Sequence, residues 1–494
     1  MQQIRDYLFN DLRTNNIHVT PAHIAEEMVN TLPAELWNDP ELPNKKFLDI
    51  CCKSGIFLIK LRDKLMTAPA MVKAIPDEKE RRKHILKYML YGIAPCNLCE
   101  DISRIELYGK IYTKGNIVTI TDNYKAYISK FKIIRNQKTR QFQIDKTLKA
   151  VKSIIDTKFV KAGGNEEVTF DVVIGNPPYN DDIYLDFVQL GHNIAKECSS
   201  WVTPAKFQAK DDAKNQNFCK EIVPHISEIV YYPDCLDIFA IQDAGGIAYY
   251  LVDNNKYSIC KITNISAMKP IINSVEHRNL TNDQTLWNCG NTIVEKIRNS
   301  EGFKPYIFEE VTTKKAYTVN VNKQLNVATG TSGCYDWKNG CINQSWIGKG
   351  GVIFAEQGTN IIPAPKLITA NKDNSSGTSI NIFTSNNKNE IDSFCSWINT
   401  KLIRFLIMIN IGSLTMMNER GWRFVPDPGS FNHTFTDEEL YTRYGITPEE
   451  IKIINSLIKE RETINVMTSS DAVAALVSKQ ATEYLNSVDS AYDF

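Results

Sequence analysis

Phe170-Asp171-Val172-Val173-Ile174-Gly175-Asn176-Pro177-Pro178-Tyr179 decides how this chain is read. Its first six residues are a short apolar run. Such a run, bounded by a turn, predicts a buried parallel strand. The two prolines fix two φ angles and remove two N–H donors. The residue before a proline is pushed out of the helical region. The Asn176 side chain and the carbonyl that follows are therefore expected to be held rigidly above a sheet edge. In open α/β sheets, ligands bind at the carboxyl ends of the strands. A rigid loop with two acceptors and one aromatic face suits a flat amine.

Working outward, the first half alternates strand and helix signals, as a parallel sheet with crossover helices requires. Thr20-Pro21 is expected to open an amphipathic helix, with Thr as cap and Pro in the first turn. Ile24, Met28, Val29 and Leu32 share its apolar face. KFLDIC (46–51) reads as the first strand and GIFLIKLRDKLM, from Gly55, as the helix after it. Residues 77–90 read as a charged crossover helix. Further strands are expected at 91–94, 116–120, 170–175, 201–202, 226–232 and 247–253. Beyond about residue 262 the alternation fades and Asn, Gly, Thr and Ser become frequent. The expected organisation is a catalytic α/β domain over 1–262, a second mixed α/β domain over 263–462 and a helical tail over 463–494.

The chain has 494 residues, 43% of them hydrophobic, and a formal net charge of zero. No apolar run approaches the roughly 18 residues a membrane span needs. The stretch from Leu402 to Met417 is broken by Arg404, Asn410 and Gly412. The N-terminus is too polar for a secretory signal. Twelve cysteines without regular spacing point to a reducing cytoplasm. With no net charge, any nucleic-acid footprint must be local. Between Lys125 and Lys161, eleven Lys or Arg stand against two Asp. This is either a solvated segment or a phosphate-contacting insertion.

The chemistry available to Asn176 is specific. The lone pair of adenine N6 is delocalised into the ring, so N6 is a poor nucleophile. Two acceptors for its two hydrogens favour the tetrahedral, nucleophilic form. The Asn176 side-chain oxygen and the Pro177 carbonyl are the expected pair. Tyr179 is expected to stack on the base. A base in a duplex reaches such a pocket only when flipped out. FLDICCKSGIF (47–57) adds a strand, a tight loop and a helix N-terminus, with Asp49 at the strand end.

Together these motifs resemble the N6-adenine DNA methyltransferases that use S-adenosylmethionine, in the gamma (TaqI-like) order of type II restriction–modification methylases. HVTPAHIAEEMV, FLDICCKSGIF and GNPPY carry the resemblance, as does GWRFVPDPGSFNHTFTDEELYTRYGITPEEI (421–451) near the C-terminus. It implies a Rossmann-like methyltransferase domain followed by a target-recognition domain. It implies cofactor contacts from Thr20, Pro21, Asp49, Cys51 and Gly55, and a catalytic loop of Asn176, Pro177, Pro178 and Tyr179. DIFAIQDAGGIAYYLV (237–252) points to Phe239 as a second aromatic against the flipped base. Asp122, placed after the third strand, is a candidate contact for the cofactor's adenine on position alone. Double-stranded DNA is the implied partner, with a separate restriction endonuclease a further one. The nineteen residues before Thr20 are too few for a fused nuclease domain.

The chain departs from this pattern at two points. Lys53 stands where the cofactor loop commonly has glycine. The second strand ends in Pro95 rather than an acid, with Glu100 and Asp101 farther on. Rival acceptors on the same fold are cytosine N4, RNA adenine and a protein glutamine amide. A rival of another class is a non-catalytic DNA-binding defence or anti-defence factor. Cys96 and Cys99 form a C-x-x-C with no second pair at zinc spacing, so buried helix cysteines and no metal are expected. Cys51 and Cys52 read as packing residues, and His23 as solvated. Gly340 to Gly351 reads equally as a DNA-contacting loop or a plain surface loop.

Overall fold

The computed structural model describes residues 19–458, apart from 110–114, 122, 136–141, 164–168, 180–181, 209–215, 240–245, 256–258, 268, 282–287, 307–325, 329–331, 335–341, 348–365, 370–379, 386–387 and 410–421. The chain falls into two compact units. The first comprises Met1–Tyr231, Ile247–Thr263 and Val275–Asn282; the second comprises Tyr232–Gly246, Asn264–Ser274 and Asp283–Phe494.

The first unit is built on a nine-stranded sheet. Its strands are β1 (Phe47–Asp49), β2 (Leu90–Ala94), β3 (Ile117–Thr119), β4 (Phe170–Gly175), β5 (Ala195–Pro204), β6 (Ile226–Tyr232), β7 (Ile247–Asp253), β8 (Cys260–Asn264) and β9 (Ser274–Arg278). The spatial order is β9-β8-β6-β7-β5-β4-β1-β2-β3. Neighbours from β3 to β5 run parallel, and β7 runs antiparallel to β5. The expected parallel-dominated α/β fold is borne out. The sheet also continues beyond residue 262, through β8 and β9.

The described helices of this unit include α1 (Ala22–Asn30), α2 (Ile56–Thr67), α3 (Asn97–Tyr108), α4 (Tyr124–Phe131), α5 (Ile144–Gly163) and α6 (Ile183–Ile194). Helices α1, α2 and α3 pack as one group, and α4, α5 and α6 as another. After β3 the chain crosses to the other side of β1. Right-handed crossovers then place the two helix groups on opposite faces. The strand order reverses between β1 and β4, and a crevice opens at their carboxyl ends at such a switch point.

The central strands are buried on both faces, which explains their near-continuous apolar runs. β5 is the exception. Its ten residues include Ser199 and Ser200, both fully buried. Ser199 accepts a hydrogen bond from Trp201 Nε1 at 2.8 Å, so the indole lies in the core with its donor satisfied. A Cβ on Gly191 of α6 would lie 2.1 Å from the Trp201 ring, so only glycine admits that indole. Phe131 of α4 stacks on Phe187 of α6, with centroids 4.9 Å apart. The expected helix over 77–90 is shorter: Glu78–His84 is helical, a π turn follows over Ile85–Met89, and β2 begins at Leu90.

The second unit contains a three-stranded antiparallel sheet of β10 (Ile342–Ile347), β11 (Lys366–Thr369) and β12 (Ile380–Ser385). Its described helices include α7 (Asn291–Arg298), α8 (Lys388–Asn399), α9 (Lys401–Met408), α10 (Asp437–Arg443) and α11 (Pro448–Leu457). Tyr306, Phe394, Trp397, Trp422 and Phe431 form an aromatic cluster beside α8. Thr447 and Glu450 form a reciprocal capping box at the start of α11. Glu450 also pairs with Lys296 of α7 at 2.6 Å. The tail over 463–494 and the 340–351 loop, apart from the backbone of β10, lie outside the described residues.

Candidate active site

Asn176 follows β4 directly, and Asp49 ends β1. The register pairs Asp49 with Ile174, so the two polar side chains emerge from adjacent parallel strands at the switch point. A Cβ on Gly175 would sit 3.9 Å from Asp49 Oδ1 and 3.4 Å from the Trp201 ring. The start of the Asn176–Tyr179 loop is therefore packed down onto the sheet. Asn176 is 3% exposed, and Pro177 and Pro178 are buried.

The Asn176 amide is held at one end. Its Nδ2 donates to Thr20 Oγ1 at 3.0 Å, across 156 residues of sequence. Its Oδ1 is shielded from water and has no donor among the described residues. A buried acceptor without a partner costs about 1–3 kcal/mol, which a donor bound there would recover. Tyr179 is half-buried, and its hydroxyl donates to the Val202 carbonyl of β5 at 3.3 Å. Its ring meets Tyr184 edge-on, with centroids 6.3 Å apart.

Thr20 does not cap α1. Pro21 occupies the N-cap position with extended ψ, and no side chain caps the helix. A proline at 21 favours extended backbone at Thr20, and the Thr20 hydroxyl is bonded to the Asn176 amide rather than to the start of the helix. Ile24, Met28, Val29 and Leu32 are buried as the periodicity implies, and His23 is exposed. On the same helix, Glu27 accepts from Tyr249 Oη of β7 at 2.8 Å.

Asp49 is 1% exposed. Burial pushes its carboxyl up to about 7, against a hydrogen bond from the Cys51 N–H at 3.0 Å and the attraction of the Lys53 ammonium. Lys53 is itself buried in the β1–α2 loop. Gly55 starts α2 with φ of +79°, in the left-handed region, and a Cβ there would lie 3.2 Å from Ser103 Cα of α3. Cys51 and Cys52 are buried; Cys52 Sγ donates to Ser103 Oγ at 3.2 Å.

The Asp49 environment has a pH consequence. Its native pKa lies above the unfolded value of 3.8, so the unfolded chain loses its proton first as pH rises. The stability present below pH 3.8 is lost progressively as pH rises towards about 7, then levels. Asp49→Asn keeps the acceptor for Cys51 but removes the titration. The variant should gain on wild type between pH 4 and pH 8, by on the order of 4 kcal/mol. Urea denaturation of the ligand-free protein at the two pH values checks this. Parallel curves for the two proteins would contradict it.

Other expected site residues are distributed as follows. Thr20, Pro21, Asp49, Cys51, Gly55 and the Asn176–Tyr179 loop all lie in the first unit. Phe239 lies in the second unit, 4% exposed, in a turn where its N–H donates to the Cys235 carbonyl at 2.7 Å. Asp122 lies outside the described residues. Glu100 is engaged by Arg104 at 2.8 Å, one helical turn on in α3. Cys96 sits at the N-cap of α3, its sulfur 3.5 Å from that of Cys99. In the basic segment, Lys125, Lys130, Lys132, Lys146, Lys149 and Lys158 are exposed. There α5 buries Thr147, Val151, Ile155 and Phe159 along one stripe.

Tyr127 of α4 was not singled out by the sequence. Fully buried, it donates its hydroxyl to the Ile50 carbonyl and so ties α4 to the loop after β1. The aromatic repeat Tyr124, Tyr127, Phe131 is the signal that carried it.

A fixed amide with an open acceptor, a buried carboxyl and a glycine-started helix at one switch point suit a planar amine beside a cationic cofactor. The sequence model of the family described as Eco57I restriction-modification methylase matches residues 88–182, from β2 through the Asn-Pro-Pro-Tyr loop. Over 352 residues the chain is 25% identical to an "Uncharacterized adenine-specific methylase" of Mycoplasma pneumoniae (strain ATCC 29342 / M129 / Subtype 1), covering 60% of this chain and 79% of that protein. Among solved structures, a modification subunit of a putative type I restriction enzyme from Vibrio vulnificus YJ016 matches at 14% identity and a TM-score of 0.32, over 50% of this chain and 47% of that one. The chain thus spans about half the length of that subunit. A putative class I S-adenosylmethionine-dependent methyltransferase from Listeria monocytogenes matches at 15% identity and a TM-score of 0.29, over 54% and 73% of the two chains. The family match covers the stretch from β2 through the Asn-Pro-Pro-Tyr loop, the part of the chain that the sequence motifs single out.

Proposed function

We propose that this protein is a site-specific DNA methyltransferase of the gamma (TaqI-like) motif order, transferring a methyl group from S-adenosylmethionine to N6 of an adenine turned out of the duplex. The observation that carries the reading is Asn176 Oδ1, a buried acceptor with no donor among the described residues, at the sheet edge beside Asp49. The printed name of the Mycoplasma relative supports the adenine. The cofactor supplies a methyl group on a sulfonium, activated for displacement.

The chain's own residues supply position and charge. Asp49, the backbone of the 50–55 loop and the start of α2 are suited to the cofactor's polar and cationic groups. Asn176 Oδ1 and the Pro177 carbonyl accept the two N6 hydrogens. This draws the lone pair out of conjugation and stabilises positive charge as N6 attacks. The new N–C bond forms as the carbon–sulfur bond breaks, and the methylated ammonium then releases a proton to water. No base is needed, because that ammonium is strongly acidic. Tyr179 supplies an aromatic face anchored through Val202. Phe239 is a candidate second face, and the second unit is the candidate reader of DNA sequence. The setting that suits this activity is restriction–modification or phage defence.

The test is transfer of a tritiated methyl group from S-adenosylmethionine, offered double-stranded DNA, RNA and protein in parallel. Label in DNA alone is expected. Label in RNA or protein, or binding of DNA with no transfer to any acceptor, would overturn the reading.

A further inference from the structure

We propose that Thr20 is a positioning residue for Asn176: its hydroxyl, hydrogen-bonded to the amide, holds the side chain in place above the sheet edge, where the other end of the amide is left for the target amine. The inference rests on the methyl-transfer reading of Asn176. The two ends of an asparagine amide are alike in shape and opposite in hydrogen-bonding sense. The torsion that exchanges them is soft and roughly two-fold. Turned over, the amide would present two N–H donors to an amine whose own hydrogens need acceptors. The amine's own hydrogens select the accepting end, and the reaction requires the amide to be held in place to receive them.

The structure supplies that hold in one bond, to a hydroxyl that can donate or accept and so fixes the place and plane of the amide. Nδ2 is 3.0 Å from Thr20 Oγ1, while Oδ1 has no donor among the described residues. The holder is itself rigid. Thr20 is β-branched, which stiffens χ1, and it is 6% exposed. The next residue is Pro21, whose ring fixes φ. From there the chain enters α1, anchored by Ile24, Ala25 and Met28, all fully buried. The hydroxyl thus stands on a frame that does not yield when the amide turns. On the other side, Pro177 and Pro178 restrict the Asn176 backbone. The amide torsion is the freedom that remains, and Thr20 removes it.

A purely structural staple between α1 and the loop would look the same in a static structure. Kinetics separate the two roles. Thr20→Val removes the acceptor at nearly constant volume, and Thr20→Ser restores it. In the full-length protein, Thr20→Val should lower kcat about tenfold. The Kd for S-adenosylmethionine and the KM for DNA should stay close to wild type, and the melting temperature should fall by only a few degrees, about what one unpaired buried donor costs. Thr20→Ser should recover the rate to within about twofold. On an Asn176→Ala background, Thr20→Val should change the residual rate no further.

An unchanged kcat in Thr20→Val would overturn the inference while leaving the methyltransferase reading intact. So would a kcat in Thr20→Ser as low as in Thr20→Val. A loss of cofactor affinity or melting temperature that accounts for the whole effect would instead make Thr20 a cofactor ligand or a staple. Absence of methyl transfer by the wild-type chain would overturn both readings.

Discussion

Asn176→Ala is expected to reduce methyl transfer by about 10²- to 10³-fold, with the Kd for S-adenosylmethionine nearly unchanged. The expectation follows from where the side chain is fixed. Oδ1 is the buried acceptor that the target amine would satisfy, and it contributes only when that amine begins to carry charge. The substitution removes one neutral hydrogen bond, to Thr20, and leaves β4 and both prolines in place. Folding should therefore survive with a loss of about 1 kcal/mol. Cofactor binding, rate and melting temperature measured on the same preparation separate these contributions. Near-normal turnover in Asn176→Ala would remove the side-chain oxygen from the mechanism.

Gly55→Val is expected to have the largest effect on the fold around the cofactor loop. Gly55 has φ of +79°, where a β-branched residue is strained. A new Cβ would also lie 3.2 Å from Ser103 Cα and 3.4 Å from its carbonyl oxygen. Those are backbone atoms within α3, which cannot swing aside. Conformational strain and overpacking together should cost about 3–5 kcal/mol. That corresponds to a fall in melting temperature of roughly 10 °C. Affinity for S-adenosylmethionine should fall with it, because the same loop opens α2. A Val variant that melts and binds cofactor like wild type would show that neither the left-handed turn nor the contact with α3 is needed.

How legible this was in the sequence varies with the range of the interaction. The Asn-Pro-Pro-Tyr loop was readable because two prolines dictate local backbone, and because an apolar strand precedes it. The strands β4, β6 and β7 were readable in position for the same local reason. β5 was legible only at Trp201 and Val202. Its buried serines look like loop residues until Trp201 is seen to donate to Ser199. Thr20 was picked out as a helix cap and as a cofactor contact. Its actual partner lies 156 residues away, and no local rule connects them. Glu100 was noted only as an acid farther into the helix, and its ion pair with Arg104, one turn on, is a contact the strand-end pattern did not suggest. The consequence of burial for Asp49 was likewise invisible, since it depends on what packs around β1. Local backbone restriction is written in residue types. Long-range hydrogen bonds and desolvation are properties of the assembled fold.

The most direct test of the central claim is mass spectrometry of nucleosides from unmethylated DNA incubated with the protein and S-adenosylmethionine carrying a deuterated methyl group. The account predicts deuterated N6-methyladenine, formed by wild type and not by Asn176→Ala. Label on cytosine N4, or no labelled base from DNA that spans many sequence contexts, would contradict it.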